Sequence, residues 1–194
     1  MKKVLLLLCQ GFEEYEASVF TDVLGWSRAY GDAGVEVETV ALRPEVTCTF
    51  NLIVKAQRRI EEINVDDFDA LAIPGGFEEH GFYEDAYAED TLDLIRSFDR
   101  AGKHIASICV AALALGKSGI LEGRTATTYH LKDGLRRKQL ADFGAVVQDQ
   151  HVVQDENRIT CSCPAAALDV AFLLLTELTS PANTVKVRTA MGFQ

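Results

Sequence analysis

The pentapeptide Ser107-Ile108-Cys109-Val110-Ala111 sets a thiol at the end of an apolar strand, just ahead of an alanine-rich helix, with small residues two positions to either side. That spacing is what a cysteine nucleophile elbow requires, because a sharp strand-to-helix turn bends tightly only where the neighbours at minus two and plus two are small. The start of the following helix offers free N–H groups and a partial positive charge, which favour thiolate and predict a lowered thiol pKa. The alternative is a buried cysteine that packs as a small hydrophobe.

A thiolate that attacks a carbonyl creates an oxyanion, and an oxyanion needs backbone N–H donors that side chains do not obstruct. Gly75 and Gly76 of Pro74-Gly75-Gly76 can supply one donor and Val110 another, though the same tripeptide also makes a plain turn. Glu13, Glu14 and Glu16 open a helix, where carboxylates are favoured by the dipole alone. Glu16 stands apart because it shares a helical face with Val19 and Phe20, turned toward the sheet. A carboxyl group pushed into an apolar site is held protonated, so Glu16 can hydrogen-bond a neighbouring sulfur or shuttle a proton as acid or base.

Elements of the right kind exist to position these groups. Apolar runs of strand length alternate with amphipathic segments of helix length, the pattern of an α/β protein with a parallel sheet. Strands are expected at Val4 to Leu8, Val35 to Leu42, Ala70 to Ile73, His104 to Ile108, Arg124 to Tyr129, Val146 to Val153 and Arg158 to Cys161. Helices are expected at Glu14 to Tyr30, Tyr87 to Arg100, Val110 to Lys117, Lys132 to Phe143 and Ala165 to Leu178, the last with Pro164 near its first turn. Ligands of open α/β sheets sit outside the carboxyl ends of the strands. Gln10 to Glu16, Pro74 to Gly76 and Cys109 all fall there.

Composition bounds the rest. The 194 residues fit a single domain, 48% are hydrophobic, and neither repeats nor low-complexity tracts divide the chain. A formal charge of −10 argues against nucleic acid as a partner. The basic cluster from Lys132 to Lys138, with Arg136 and Arg137, is read as a solvated helix face. Met1 to Cys9 mimics a lipoprotein signal, but its five-residue apolar core is shorter than the ~7 to 15 of a signal peptide, so it is read as a first buried strand. No apolar run approaches the ~18 residues of a membrane span, and a cytoplasmic protein is expected. Five cysteines, Cys9, Cys48, Cys109, Cys161 and Cys163, form an odd set without zinc spacing, and four scattered histidines give no metal motif. Free thiols and no metal are therefore expected.

Four motifs taken in order carry a family resemblance. They are Gly11-Phe12-Glu13-Glu14-Tyr15-Glu16-Ala17, Ile73-Pro74-Gly75-Gly76, Ser107-Ile108-Cys109-Val110-Ala111, and Ile159-Thr160-Cys161-Ser162-Cys163-Pro164 with Ala167-Leu168-Asp169. Together they resemble the ThiJ/PfpI superfamily, in the branch of the parkinsonism-associated deglycase. The resemblance implies a flavodoxin-like three-layer sandwich related to class I glutamine amidotransferase domains, usually a homodimer, and needing no cofactor. It also implies a reactive Cys109 beside a protonated Glu16, with the Gly75, Gly76 and Val110 amides around the sulfur.

Activities in that family include glyoxalase, deglycase, peptidase and redox sensing through cysteine sulfinic acid, and all of them share the cysteine. Peptidase-like members carry a histidine directly after the nucleophile; here that position is Val110, which argues against proteolysis. The deglycase branch often has a histidine after a Thr-Thr pair, where this chain reads Thr127-Thr128-Tyr129-His130. Either Tyr129 takes that place and hydrogen-bonds a substrate carbonyl, or His130 does and carries a proton.

Cys161 and Cys163 are read as small buried residues or as a thiol that traps an oxidised Cys109. The favoured reading is an enzyme whose Cys109 adds to a small 2-oxoaldehyde or its adduct, a small-molecule carbonyl partner. The alternative is a redox sensor without turnover, and isonitrile hydration comes last because that branch differs in the acidic motif after the first strand.

Overall fold

The computed structural model describes residues 1–193. β1 (Lys2–Leu7) is buried from Val4 onward, as a central parallel strand covered on both faces must be. It is followed by α1 (Glu14–Tyr30), β2 (Val35–Ala41), the short strands β3 (Glu45–Thr47), β4 (Ile53–Lys55) and β5 (Arg58–Arg59), and β6 (Ala70–Ile73). Then come α2 (Phe82–Ala86), α3 (Glu89–Arg100), β7 (His104–Ser107), α4 (Ala112–Lys117), β8 (Thr125–Ala126) and α5 (Leu135–Asp142). The last described elements are β9 (Val146–Val147), β10 (Val152–Asp155), β11 (Arg158–Cys161), α6 (Ala167–Leu178) and α7 (Pro181–Ala190).

Seven strands form the main sheet in the order β10-β11-β7-β6-β1-β2-β5, parallel throughout except for β10 against β11. Helices α1, α6 and α7 pack together on one face, and α3 and α4 on the other, which makes a three-layer α/β sandwich. Without the two edge strands, the order β2-β1-β6-β7-β11 is the flavodoxin-like one. Chain direction across the sheet reverses between β1 and β6, and that reversal opens a crevice at their carboxyl ends. The three segments singled out above border it.

Buried periodicity explains where sequence and structure agree. α1 turns Val19, Phe20, Val23 and Leu24 inward, and α3 does the same with Leu92, Leu94, Ile95 and Phe98. The differences lie at the polar edges of elements. The single strand expected over Val146 to Val153 is two: β9 pairs with β8 in a small separate ribbon, whereas β10 edges the main sheet, because the polar Gln148 to His151 turns between them. The strand expected from Arg124 stops at Ala126, and the Thr127 N–H turns to the Thr160 hydroxyl instead.

α5 starts at Leu135 rather than Lys132, since Lys132, Asp133 and Gly134 all have positive φ and cannot begin a right-handed turn. The helix expected from Tyr87 starts at Glu89 as α3, and a separate short helix, α2, precedes it without having been expected. Those expected from Val110 and Ala165 each open with a 3₁₀ turn, Cys109–Ala111 and Pro164–Ala166. Among the described residues no helix is long and apolar enough to cross a membrane.

Candidate active site

β7 delivers Cys109 to the sheet edge with φ +56, the left-handed region that a residue with a side chain enters at a cost. Neighbouring bonds hold it there. Ile108 N–H donates to the Ile73 carbonyl at 3.1 Å, Ala111 N–H to the Ile108 carbonyl at 3.0 Å, and the Thr128 hydroxyl to the Cys109 carbonyl at 2.8 Å. The thiol is therefore fixed on the turn of an elbow, with Val110 N–H toward the sulfur.

Glu16 lies behind the sulfur, fully buried on the inward face of α1. Its Oε2 accepts the Gly75 N–H at 2.6 Å, and its Oε1 is buried without a hydrogen-bond partner. Burial, and next the nearby Glu13, push the Glu16 carboxyl up to about 8, against the pull of the Gly75 N–H and Cys109. At neutral pH the group is an acid, with Oε1 free to carry the proton.

The expectation of a depressed thiol pKa at Cys109 is overturned. Burial, then the charge Glu16 takes on once it ionises, raise it well above the ordinary thiol value, and the Val110 N–H opposes them without prevailing. The helix that would favour thiolate, α4, runs only six residues and opens through a 3₁₀ turn, whereas the sulfur sits in a residue only 6% exposed. Cys109 and Glu16 thus form one coupled pair that holds its protons at rest.

Gly75 is corrected as well. Its N–H is committed to Glu16, so it positions the acid instead of meeting an oxyanion. A Cβ there would lie 2.9 Å from Glu16 Oε2, 2.9 Å from the Ile108 carbonyl oxygen and 3.2 Å from Cys109 Cβ. Gly75→Ala is therefore expected to displace the carboxyl and lower kcat/KM by on the order of 10²-fold, the usual effect of misplacing a reacting group by about 1 Å. Steady-state assay of the folded variant tests this, and activity within threefold of wild type would refute it.

Gly76 bridges Phe12 through Glu13 N–H to Gly75 O at 2.8 Å and Phe77 N–H to Gly11 O at 3.1 Å, which turns its own N–H away from Phe12, and Gly76 lines the cavity. The Phe12 loop is braced in turn by the segment after β3. Thr49 N–H donates to Phe12 O and its hydroxyl to Gly11 O, each at 2.8 Å, while buried Asp85 accepts the Gln10 N–H at 2.8 Å.

A cavity of about 420 Å³ opens over the sulfur. Cys109, Val110, Gly76 and Glu13 line it, and so do both Tyr129 and His130, so the chain does not choose between the last two. His130 Nδ1 is 3.5 Å from the Ser162 carbonyl oxygen. Cys163 lines the cavity too, while Cys161 is fully buried beneath it. Glu13 is held above the ordinary carboxylate range by burial and then by Glu14. Arg136 also reaches the wall, which corrects the reading of that basic cluster as a purely solvated face. Among the described residues no three His, Cys, Asp or Glu side chains group as metal ligands.

The sequence profile of the DJ-1/PfpI family matches residues 2–177. The chain belongs to the DJ-1/PfpI family. Protein dj-1beta of Drosophila melanogaster is 31% identical over 91% of this chain and 89% of its own length. Its crystal structure superposes with a TM-score of 0.86 over 100% of this chain and 98% of that one, at 26% identity. An isonitrile hydratase of Pseudomonas putida is 34% identical over 69% of this chain and 54% of its own length. A deglycase of Pyrococcus horikoshii is 29% identical over 84% of this chain and 91% of its own.

Thr128, Asp85 and Arg136 escaped sequence reasoning. The Thr-Thr pair pointed only to the residues after it, Asp85 lies between the expected strand ending at Ile73 and the expected helix starting at Tyr87, and Arg136 looks on sequence like any other charge of a basic run.

Proposed function

We propose that this DJ-1/PfpI member is a cofactor-independent cysteine enzyme that acts on small 2-oxoaldehydes or their adducts, in the manner of a glyoxalase or deglycase. One observation carries the reading. A buried acid, Glu16, is tethered through one oxygen and unpartnered at the other, directly behind a thiol that opens onto a cavity large enough for a small carbonyl compound.

In the proposed reaction Cys109 Sγ bonds to the aldehyde carbon, and its proton ends on the carbonyl oxygen, giving a hemithioacetal. Gly76 and Val110 N–H stabilise the oxyanion on the way. The proton on that carbon then moves to the neighbouring ketone carbon, served by Glu16 with His130 and Tyr129 on the cavity wall. The result is a thioester of a 2-hydroxy acid. Water hydrolyses it and restores the thiol. One carbon is oxidised and its neighbour reduced, so no outside oxidant enters.

Because both groups of the pair are protonated at rest, Glu16 must first release its own proton to solvent before it can take the thiol proton, and kcat/KM is expected to rise with pH toward about 8. The direct test is lactate formation from methylglyoxal by the purified protein between pH 6 and 9. A protein that produced none would contradict the proposal. Turnover also separates it from the redox-sensor reading, which has none.

A further inference from the structure

The wall of the cavity holds a cation that the proposed chemistry does not use. Arg136 is a resident of α5, and its side chain is only 15% exposed. The guanidinium lies 5.0 Å above the Tyr83 ring, and its Nη1 donates to Gln139 Oε1 at 2.9 Å. Ring and amide fix the planar fork in place. Its Nη2 donates to Glu78 Oε2 at 2.7 Å, and the Glu78 side chain is 60% exposed. An ion pair to so exposed a carboxylate is worth little and is readily exchanged.

The other charges on the wall do not cancel this one. Lys132 and Glu79 are both mostly in water and face each other at 4.0 Å. Glu13 is engaged on the Glu16 side, its N–H donating to the Gly75 carbonyl at 2.8 Å, and burial, then Glu14, raise its carboxyl above the ordinary range. The cavity is therefore lined both by Cys109 and by an immobilised guanidinium whose resting partner is an exposed carboxylate. Arg presents paired donors that match a carboxylate's geometry.

Building on the aldehyde reading above, we propose that Arg136 makes this site selective for 2-oxoaldehydes that carry a carboxylate, which displaces the Glu78 carboxylate and anchors the substrate while Cys109 attacks its aldehyde. The reaction keeps its balance: a carboxylated 2-oxoaldehyde and water give the corresponding 2-hydroxy diacid.

The matched pair phenylglyoxal and 4-carboxyphenylglyoxal tests this. For the native protein, kcat/KM for the carboxylated compound is expected to exceed that for the neutral one by roughly tenfold or more, the scale of a charged hydrogen bond. Arg136→Gln is expected to erase that ratio, and Lys138→Gln, an equal charge change on the exposed side of the same helix, to leave it unmoved. A ratio is independent of how much variant folds, so loss of packing on Tyr83 cannot imitate the result. Calorimetric binding of 4-formylbenzoate and benzaldehyde to Cys109→Ser protein provides an arm without turnover.

Turnover of both compounds at equal efficiency, or a preference that survives Arg136→Gln, overturns the selectivity while leaving the aldehyde enzyme standing. Absence of all turnover, with 4-formylbenzoate still bound through Arg136, overturns the enzyme reading and keeps the carboxylate site. Equal binding of the two aldehydes, with no turnover, overturns both.

Discussion

Cys109→Ser is expected to leave a folded protein whose turnover of methylglyoxal is at least about 10³-fold below wild type, the scale on which removing a covalent nucleophile acts. A hydroxyl in that position is a far weaker nucleophile, and the elbow gives it no compensating base of greater strength than Glu16. The fold has little reason to change. Serine is close in size, the turn is held by backbone bonds of Ile108 and Ala111 and by the Thr128 hydroxyl, and the left-handed φ of +56 costs serine about what it costs cysteine. Lactate assay beside a thermal melt checks both halves. Retention of more than about a tenth of the activity would remove Cys109 from the chemistry, because covalent addition to its sulfur is the first step of the proposed reaction.

The same substitution separates the cysteines. Cys161 is fully buried and Cys163 sits at the cavity wall, so neither replaces Cys109 on the elbow. Among the described residues, only Cys109 combines a cysteine at positive φ, a facing N–H and a buried carboxyl behind the sulfur.

The architecture was legible because burial on both faces writes unbroken apolar runs for β1, β6 and β7, and burial on one face writes the helical spacing of α1 and α3. The elbow was legible for a similar reason, since its small flanking residues are a local demand of the backbone. Glu16 could be singled out from Glu13 and Glu14 by its shared face with Val19 and Phe20. What escaped was non-local or carried by short polar segments. The β3–β4 hairpin, β5 and α7 have weak apolar patterning, yet the segment after β3 braces the Phe12 loop. Whether the Gly75 N–H faces an oxyanion or an acid depends on where α1 sets Glu16, 59 residues away. The thiol's pKa depends on the same contact, so a helix start in the sequence was a poor guide to it.

Glu16→Gln is the second large effect, and it reads out in two independent ways. Turnover is expected to fall by about 10² to 10⁴, the usual contribution of a positioned acid–base, and the rise of kcat/KM toward pH 8 is expected to disappear with it. Stability moves in the opposite sense. The wild-type carboxyl holds its proton up to about 8 in the folded protein, against 4.5 as its ordinary value. Below 4.5 both folded and unfolded chains are protonated there and the group contributes no pH dependence.

Between those values the unfolded chain loses the proton while the folded one keeps it, so wild-type stability declines as pH rises. The decline stops near pH 8, at a total on the order of 5 kcal/mol. The amide that replaces the carboxyl would keep an acceptor for the Gly75 N–H but has nothing to titrate. The stability of Glu16→Gln relative to wild type should therefore be flat below pH 4.5 and grow steadily from there to pH 8. Urea unfolding of both proteins at unit pH steps measures the difference. A difference constant across that range would mean that Glu16 is already ionised in the folded protein at neutral pH, and the acid at the thiol would have to be sought in Glu13, the other carboxyl of the cavity that burial raises above its ordinary range.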